Sequence, residues 1–364
     1  LVIADLSGGG AQRVMTQLAN AWAERGHRLC VVTLSHPDSD FFRLDPRVSR
    51  RCIGGIGASS GAVAALWANL QRLRRLRAAI RASGAPCVVS FVGTMNILTV
   101  LATAGLGVRL VISERNDPAR QSLGRGWDLL RRLLYPRADL VTANSKAALQ
   151  SLAAFVPPRK LAFAPNPLAA PAADQPRPPR QQVILNVGRL TAQKAQDVLL
   201  AAFAALPEGA RDWRLVIVGT GEAGPALQRQ AEALGIADRV RLAGQVADPL
   251  PHYHSASIFV LPSRFEGTPN ALLEAMANGL PAIVSDASGG PLEYVEDGET
   301  GLVVPADDPS ALTTAMARLI GDNDLRARLG AAAQARLAAG GQLDALAAWE
   351  KLLGLTRPPP VADA

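Results

Sequence analysis

The chain has 364 residues, 49% of them hydrophobic and 19% charged, which makes it globular rather than disordered and leaves room for two domains of ordinary size. Its three cysteines, Cys30, Cys52 and Cys87, are too few and too odd in number for a disulfide framework, so a reducing, cytoplasmic compartment is expected. The net charge of +7 is uneven: residues 1–168 hold 22 basic and 9 acidic side chains and the rest 16 and 22, so the first half is expected to face an anionic partner.

The first half alternates strands and helices. LVIADL (1–6) reads as a strand, and SGGG leads from it into a helical pattern over 11–25. Glycines at Gly8, Gly9 and Gly10 would let a ligand approach the backbone and leave helix N–H groups open to an anion, or would simply make a permissive turn. RLCVVTL (28–34) is the second strand. A long helix is expected over 60–83, with Leu73, Leu76 and Ile80 on its core face. Its other stripe carries Val63, Leu66, Trp67 and Leu70 and then a ladder of Arg74, Arg77 and Arg81. These arginines are either solvated or the cradle for a diphosphate beyond a lipid-facing patch.

The uncharged run 82–108 exceeds the length of a membrane span. Pro86, Gly93, Asn96, Gly105 and Gly107 interrupt it, so it reads as the strand CVVSF, a glycine turn and an apolar helix. RLVIS and DLVTAN continue the strands, and 120–137 is a second basic amphipathic segment of interfacial type.

Residues 169–181, AAPAADQPRPPRQ, read as a proline-rich linker. Alternation then restarts with VILNVG, RLVIVG, RVRLAG, SIFVLP and PAIVSD, and 309–354 is helical. The fold class expected is α/β: Rossmann-like domains over 1–168 and 182–340 facing across a cleft, with a C-terminal helix and tail at 341–364. Ligands of such sheets bind outside the carboxyl ends of the strands.

Three stretches there compete as ligand sites. VIVGTGEAG satisfies G-x-G-x-x-G through Gly219, Gly221 and Gly224, but the next strand, RVRLAG, ends without the acid a dinucleotide's ribose needs. A tight strand-to-helix turn is the better reading. NVGRLTAQKAQDVL sets Arg189 and Lys194 in a loop just past a strand end, where they are a solvated pair or the neutralising charge for a diphosphate. SRFEGTPNALLEAM offers Thr268 as N-cap and Pro269 as first residue of a helix whose N–H groups favour a phosphate. Glu266 precedes that helix and Glu274 lies in its second turn. They cannot pair with each other, and a carboxylate accepting from vicinal hydroxyls is a natural reader of ribose or sugar.

Taken in this order, GGGAQRV, PNP (165–167), VGRLTAQKAQD, FEGTPNALLEAMANGLPAIVSD and EDGETGLVVP resemble glycosyltransferase family 4, the retaining transferases of GT-B fold. The Glu266-x7-Glu274 spacing is that family's signature, and the resemblance runs from residue 1 to about 350. It implies that Arg189 and Lys194 hold the donor diphosphate, Glu274 the ribose hydroxyls, and Glu266 a place near the donor sugar. Backbone groups of Gly267, Thr268, Pro269 and Asn270 would meet sugar and phosphate, Val246 the base, and Gly9 and Gly10 the diphosphate. Retention by front-side attack is implied, with UDP the carrier by family habit. Where many members have a histidine, VISERNDP has Arg115, which the resemblance puts in that catalytic place, with Glu114 and Asn116 beside it as acceptor-side candidates. SERNDP resembles the subgroup that extends polyprenyl-diphosphate-linked oligosaccharides and exopolysaccharides, which implies an acceptor at the cytoplasmic membrane face.

No metal or cofactor is expected. The triplets Asp38-x-Asp40 and Asp322-x-Asp324 and the pair His252 and His254 read as solvated loops. With 4% aromatics and no basic–aromatic platform, nucleic acid is disfavoured as the anion. An epimerase or a glycosyl phosphorylase is the alternative on the same fold.

Overall fold

The computed structural model describes residues 1–55, 62–119, 121–168, 179–266, 268–287, 289–339 and 344–355. The chain divides into two compact units, residues 1–167 with the segment from 344, and residues 168–343.

The first unit runs α1 (Gly10–Glu24), β1 (Cys30–Thr33), β2 (Ser49–Cys52), α2 (Ala62–Ser83), β3 (Cys87–Phe91), α3 (Gly93–Thr103), β4 (Arg109–Glu114), α4 (Arg125–Leu134), β5 (Leu140–Ala143), α5 (Lys146–Ala153) and β6 (Leu161–Phe163). Every strand pairing in it is parallel. Residues 1–4 lie extended between β1 and β3, with Val2 bridging Val32 and Ser90. The first strand is thus central, and the order doubles back around it as in a doubly wound sheet. The uncharged run 82–108 folds as expected, with Val92 at φ 73° and Gly93 at φ 26° making the turn from β3 into α3.

The second unit runs β7 (Val183–Val187), α6 (Gln196–Ala204), β8 (Arg214–Val218), α7 (Gly224–Ala233), β9 (Val240–Leu242), α8 (Leu250–Ser255), β10 (Ile258–Leu261), α9 (Asn270–Ala277), β11 (Ala282–Ser285), α10 (Gly289–Leu292), β12 (Leu302–Val304), α11 (Pro309–Gly321) and α12 (Asn323–Ala339). Its six parallel strands are ordered β12-β11-β10-β7-β8-β9. The order reverses between β7 and β10, so the helices that follow them, α6 and α9, pack on opposite faces of the sheet while their loops meet at the carboxyl edge between the two strands. Ile258, Phe259 and Val260 of β10 are fully buried, alternating between the cores on the sheet's two faces.

Three strands were not anticipated: β2, β6 and β12. Each is an edge strand of three or four residues, and β2, SRRC, is mostly exposed, so neither length nor apolar content marks it. The helical tail is three helices, the last of them α13 (Ala345–Leu353). Trp349 of α13 is fully buried in the first unit against Trp22, Phe91 and Arg115. Residues 169–178 of the expected linker lie outside the described residues, whereas Arg180 already belongs to the second unit, donating to the carbonyls of Ala256 and Asn278 at 2.7 Å each. Among the described residues no helix is long and apolar enough to cross a membrane.

Candidate active site

The loops after β7 and β10 carry most of the residues singled out in the second unit. Adjacent parallel strands bring them together although they are 72 positions apart. Lys194 forms an ion pair with Glu266 through its Nζ, and Ser263 Oγ donates to the same carboxylate oxygen at 2.7 Å. Glu266 is only 7% exposed, so its carboxylate is drawn out of water and held by these partners. Ser285 Oγ in turn donates to the Ser263 carbonyl. Arg189, on the same loop as Lys194, is exposed, and its guanidinium has no hydrogen bond or ion pair with a described residue. Its backbone is nevertheless fixed, because Gln196 Nε2 donates to its carbonyl at 3.1 Å.

The helix after Glu266 starts one residue later than expected. Pro269, at φ −83° and ψ 84°, stands outside the helix and takes the cap position, and no side chain caps it. Thr268 therefore is not the N-cap: its carbonyl accepts from the Asn270 N–H at 3.1 Å. Gly267 lies outside the described residues. Glu274, within α9, is 2% exposed. Val246 is partly buried against the core that α9 also packs on.

The turn after β8 explains its own glycines. A Cβ on Gly219 would meet the Gly188 carbonyl oxygen at 1.9 Å, and one on Gly221 the Leu190 carbonyl oxygen at 2.2 Å. Gly219 also sits at φ 143°, which disfavours a side chain. Gly188 and Leu190 flank Arg189, so these glycines let one turn lie directly against the loop that presents the arginine.

In the first unit, Gly9 precedes α1, which has no side-chain cap and begins at Gly10. The Gly9 backbone is extended and a Cβ there would meet only the end of the Gln12 side chain, so local geometry does not demand glycine. Glu114, at the end of β4, is buried, accepts from Tyr135 Oη at 2.7 Å and from the Arg115 N–H at 3.1 Å, and lies 4.0 Å from Arg131. Burial raises its pKa above the usual carboxylate value, with the Tyr135 bond opposing. Arg115 points away from solvent. Its guanidinium stacks 4.2 Å from the Phe91 ring centroid and 5.4 Å from that of Trp349, and bonds Asn166. Burial lowers its pKa to about 9, and its Nε and Nη2 find no hydrogen-bond partner among the described residues. Asn116 is exposed.

On α2, Leu76 and Ile80 are buried and Leu73 packs beside them, as expected. Leu66 and Trp67 on the other stripe are 73% and 57% exposed. The arginine ladder divides. Arg77 Nη1 donates to the Ala102 and Ala104 carbonyls at 2.8 and 2.7 Å and so closes the end of α3, while Arg74 and Arg81 are exposed. Helix α4 buries Arg131 against Asp128 and Glu114 and exposes Leu129, Leu130 and Leu133. Arg120, where the expected amphipathic segment begins, is outside the described residues.

Of the metal candidates, Asp38 pairs with His36, Asp40 with Arg50, and Asp322 accepts from the Leu325 N–H. No group of three or more His, Cys, Asp or Glu able to hold a metal ion occurs among the described residues.

Residues 9–167 match the family model of a glycosyl transferase 4-like domain, and residues 172–336 that of glycosyl transferases group 1. Over 329 residues, 90% of each chain, the protein is 27% identical to the GalNAc-alpha-(1->4)-GalNAc-alpha-(1->3)-diNAcBac-PP-undecaprenol alpha-1,4-N-acetyl-D-galactosaminyltransferase of Campylobacter jejuni. A second C. jejuni protein, N-acetylgalactosamine-N,N'-diacetylbacillosaminyl-diphospho-undecaprenol 4-alpha-N-acetylgalactosaminyltransferase, is 29% identical over 65% of this chain and 67% of its own. Among solved structures, the sucrose-phosphate synthase of Thermosynechococcus elongatus gives a TM-score of 0.77 at 20% identity over 97% of both chains. Anabaena HepE in complex with UDP and glucose gives 0.75 at 18% identity over 98% of both. The fold is GT-B, and with both halves matched in the family's order the chain belongs to glycosyltransferase family 4.

Proposed function

We propose that this glycosyltransferase moves a sugar, with retention and without a metal, from a UDP-sugar to a polyprenyl-diphosphate-linked glycan at the cytoplasmic face of an anionic membrane. The observation that carries the donor half is the convergence of exposed Arg189 and the Lys194–Glu266 pair at the switch point between β7 and β10. As the bond from sugar to diphosphate breaks, negative charge grows on the leaving phosphate, and two cations fixed beside it stabilise that charge. Lys194 turning to the phosphate leaves Glu266 to accept from the sugar hydroxyls, while Glu274 reads the ribose. HepE, of the same fold, was solved with UDP and glucose, which supports UDP as the carrier.

The acceptor half is supported by the C. jejuni relatives, whose names describe undecaprenol-diphosphate glycans. It is supported also by the exposed leucines of α2 and α4 near basic side chains. Replacing Arg74 and Arg81 with alanine is expected to raise the acceptor KM while leaving the donor KM in place, read from steady-state kinetics with each substrate varied. Equal effects on both would count against the cradle. Arg77 is left intact because its loss would open the end of α3.

The function itself is tested by thermal shift against a panel of nucleotide sugars, then turnover with lipid-linked acceptors in the presence of EDTA. One UDP-sugar is expected to stabilise the protein, Glu274→Ala to lose that stabilisation, and turnover to survive chelation. Activity abolished by EDTA and restored by manganese would overturn metal independence. Nucleoside diphosphate released without acceptor would favour an epimerase, and sugar 1-phosphate released from a glycan by inorganic phosphate a phosphorylase.

A further inference from the structure

Between the two loops of the site lies a side chain that the reaction does not itself require. Arg264, two residues before Glu266, donates through Nε to Asp307 Oδ1 at 2.7 Å and through Nη1 to the Ala192 carbonyl at 2.5 Å. It also grips the Asp197 carboxylate with both terminal nitrogens, at 3.2 and 2.8 Å. Its backbone N–H donates to the Gln193 carbonyl at 2.8 Å, and Gln193 Nε2 answers to the Phe265 carbonyl at 2.9 Å. One guanidinium thus fastens the loop bearing Glu266 to the turn bearing Lys194, to the start of α6 and to the loop after β12.

Two of the joined segments hold unfavourable backbone conformations. Ala195, directly after Lys194, lies at φ 51°, and Asp307 at φ 57°. A left-handed residue with a side chain is strained, and it persists where the surroundings over-determine it. The Ala195 methyl can make no hydrogen bond that would favour this conformation. What it achieves is the direction of the chain between Lys194 and α6.

We propose that Arg264 is a positioning residue: by tying Asp197, Ala192 and Asp307 to its own loop it holds Lys194 and Glu266 in the alignment that sugar transfer needs. The proposal rests on the donor site assigned above. Its energetic logic separates it from a stability role. Arg264 is 31% exposed at the side chain, and its partners Asp197 and Asp307 are 48% and 53% exposed. Ion pairs so exposed contribute little to folding. The same contacts, used to fix two reacting groups, act on the rate far more steeply, since small misplacements are costly there.

The test is Arg264→Ala beside Arg264→Lys and the double variant Asp197→Asn/Asp307→Asn, each measured for kcat, donor KM and thermal midpoint. Arg264→Ala is expected to lower kcat by about 10- to 100-fold. The donor KM should stay nearly unmoved and the midpoint fall by no more than about 4 °C. Added guanidinium ion should restore part of the rate in Arg264→Ala, lysine should recover less than arginine, and the double aspartate variant should reproduce the loss although neither aspartate faces a substrate group in the proposed chemistry. Wild-type kcat in Arg264→Ala overturns the proposal, as does a rate loss accompanied by a large fall in the midpoint. Absence of nucleotide-sugar turnover in the unaltered protein would instead overturn the functional assignment on which it rests.

Discussion

Lys194→Ala is expected to lower kcat for sugar transfer by about 10²–10³, the usual cost of removing one fixed group that stabilises charge as a bond breaks. The same substitution acts on the protein without substrate. Glu266 is 7% exposed and would lose its cation, keeping the Ser263 bond at 2.7 Å. Stranding a buried carboxylate costs up to about 3–5 kcal/mol, less here because the Lys194 side chain is 17% exposed and water can follow it in. The two effects separate in the double variant Lys194→Ala/Glu266→Gln. Neutralising the carboxylate should recover most of the lost thermal stability and none of the lost rate. Recovery of rate would mean that the lysine serves only to neutralise its neighbour.

Trp349→Ala is expected to destabilise the first unit by about 3–5 kcal/mol, read as an earlier unfolding transition in denaturant by circular dichroism. The indole is fully buried, lies edge-on to Trp22 at 6.5 Å, packs 5.7 Å from Phe91, and donates through Nε1 to the Pro165 carbonyl at 2.9 Å. Removing it opens a large cavity and also uncovers one face of the buried Arg115 guanidinium, a cation that burial already holds down at a pKa of about 9. Trp349→Phe should cost less, since it keeps a ring against Arg115 and gives up chiefly the bond to Pro165. A Trp349→Ala protein unfolding at the unaltered midpoint would remove α13 from the account of what holds this unit together.

Much of the fold is written in the valine-rich runs: CVVSF, VILNV and IFVL fall on β3, β7 and β10 because buried parallel strands need apolar side chains on both faces. What stayed illegible was adjacency. Nothing in either loop's sequence says that Lys194 will meet Glu266, because that contact follows from the order in which six strands are laid side by side. Arg115 shows the same limit in reverse. Its position in SERNDP carries no sign of Phe91, Trp349 and Asn166, which converge on it from three distant parts of the chain. Ser263 and Arg264 were inside the stretch that drew attention, but a serine and an arginine beside a glutamate carry no signal until their partners at 197, 285 and 307 are placed. The one-residue shift of α9 is the ordinary ambiguity of a helix start at a proline.

The glycines at 219 and 221 bear on how such chains are classified. A pattern search over VIVGTGEAG would file this protein among nicotinamide oxidoreductases, since the spacing is that of a pyrophosphate-binding turn. In this chain the space left by the missing side chains is taken by carbonyl oxygens of the polypeptide itself, those of Gly188 and Leu190. The same three-glycine spelling therefore has two physical meanings, and a methyl group placed in imagination tells them apart. Where it strikes the chain's own backbone, the motif is masonry between neighbouring turns, and the ligand must be sought one strand over.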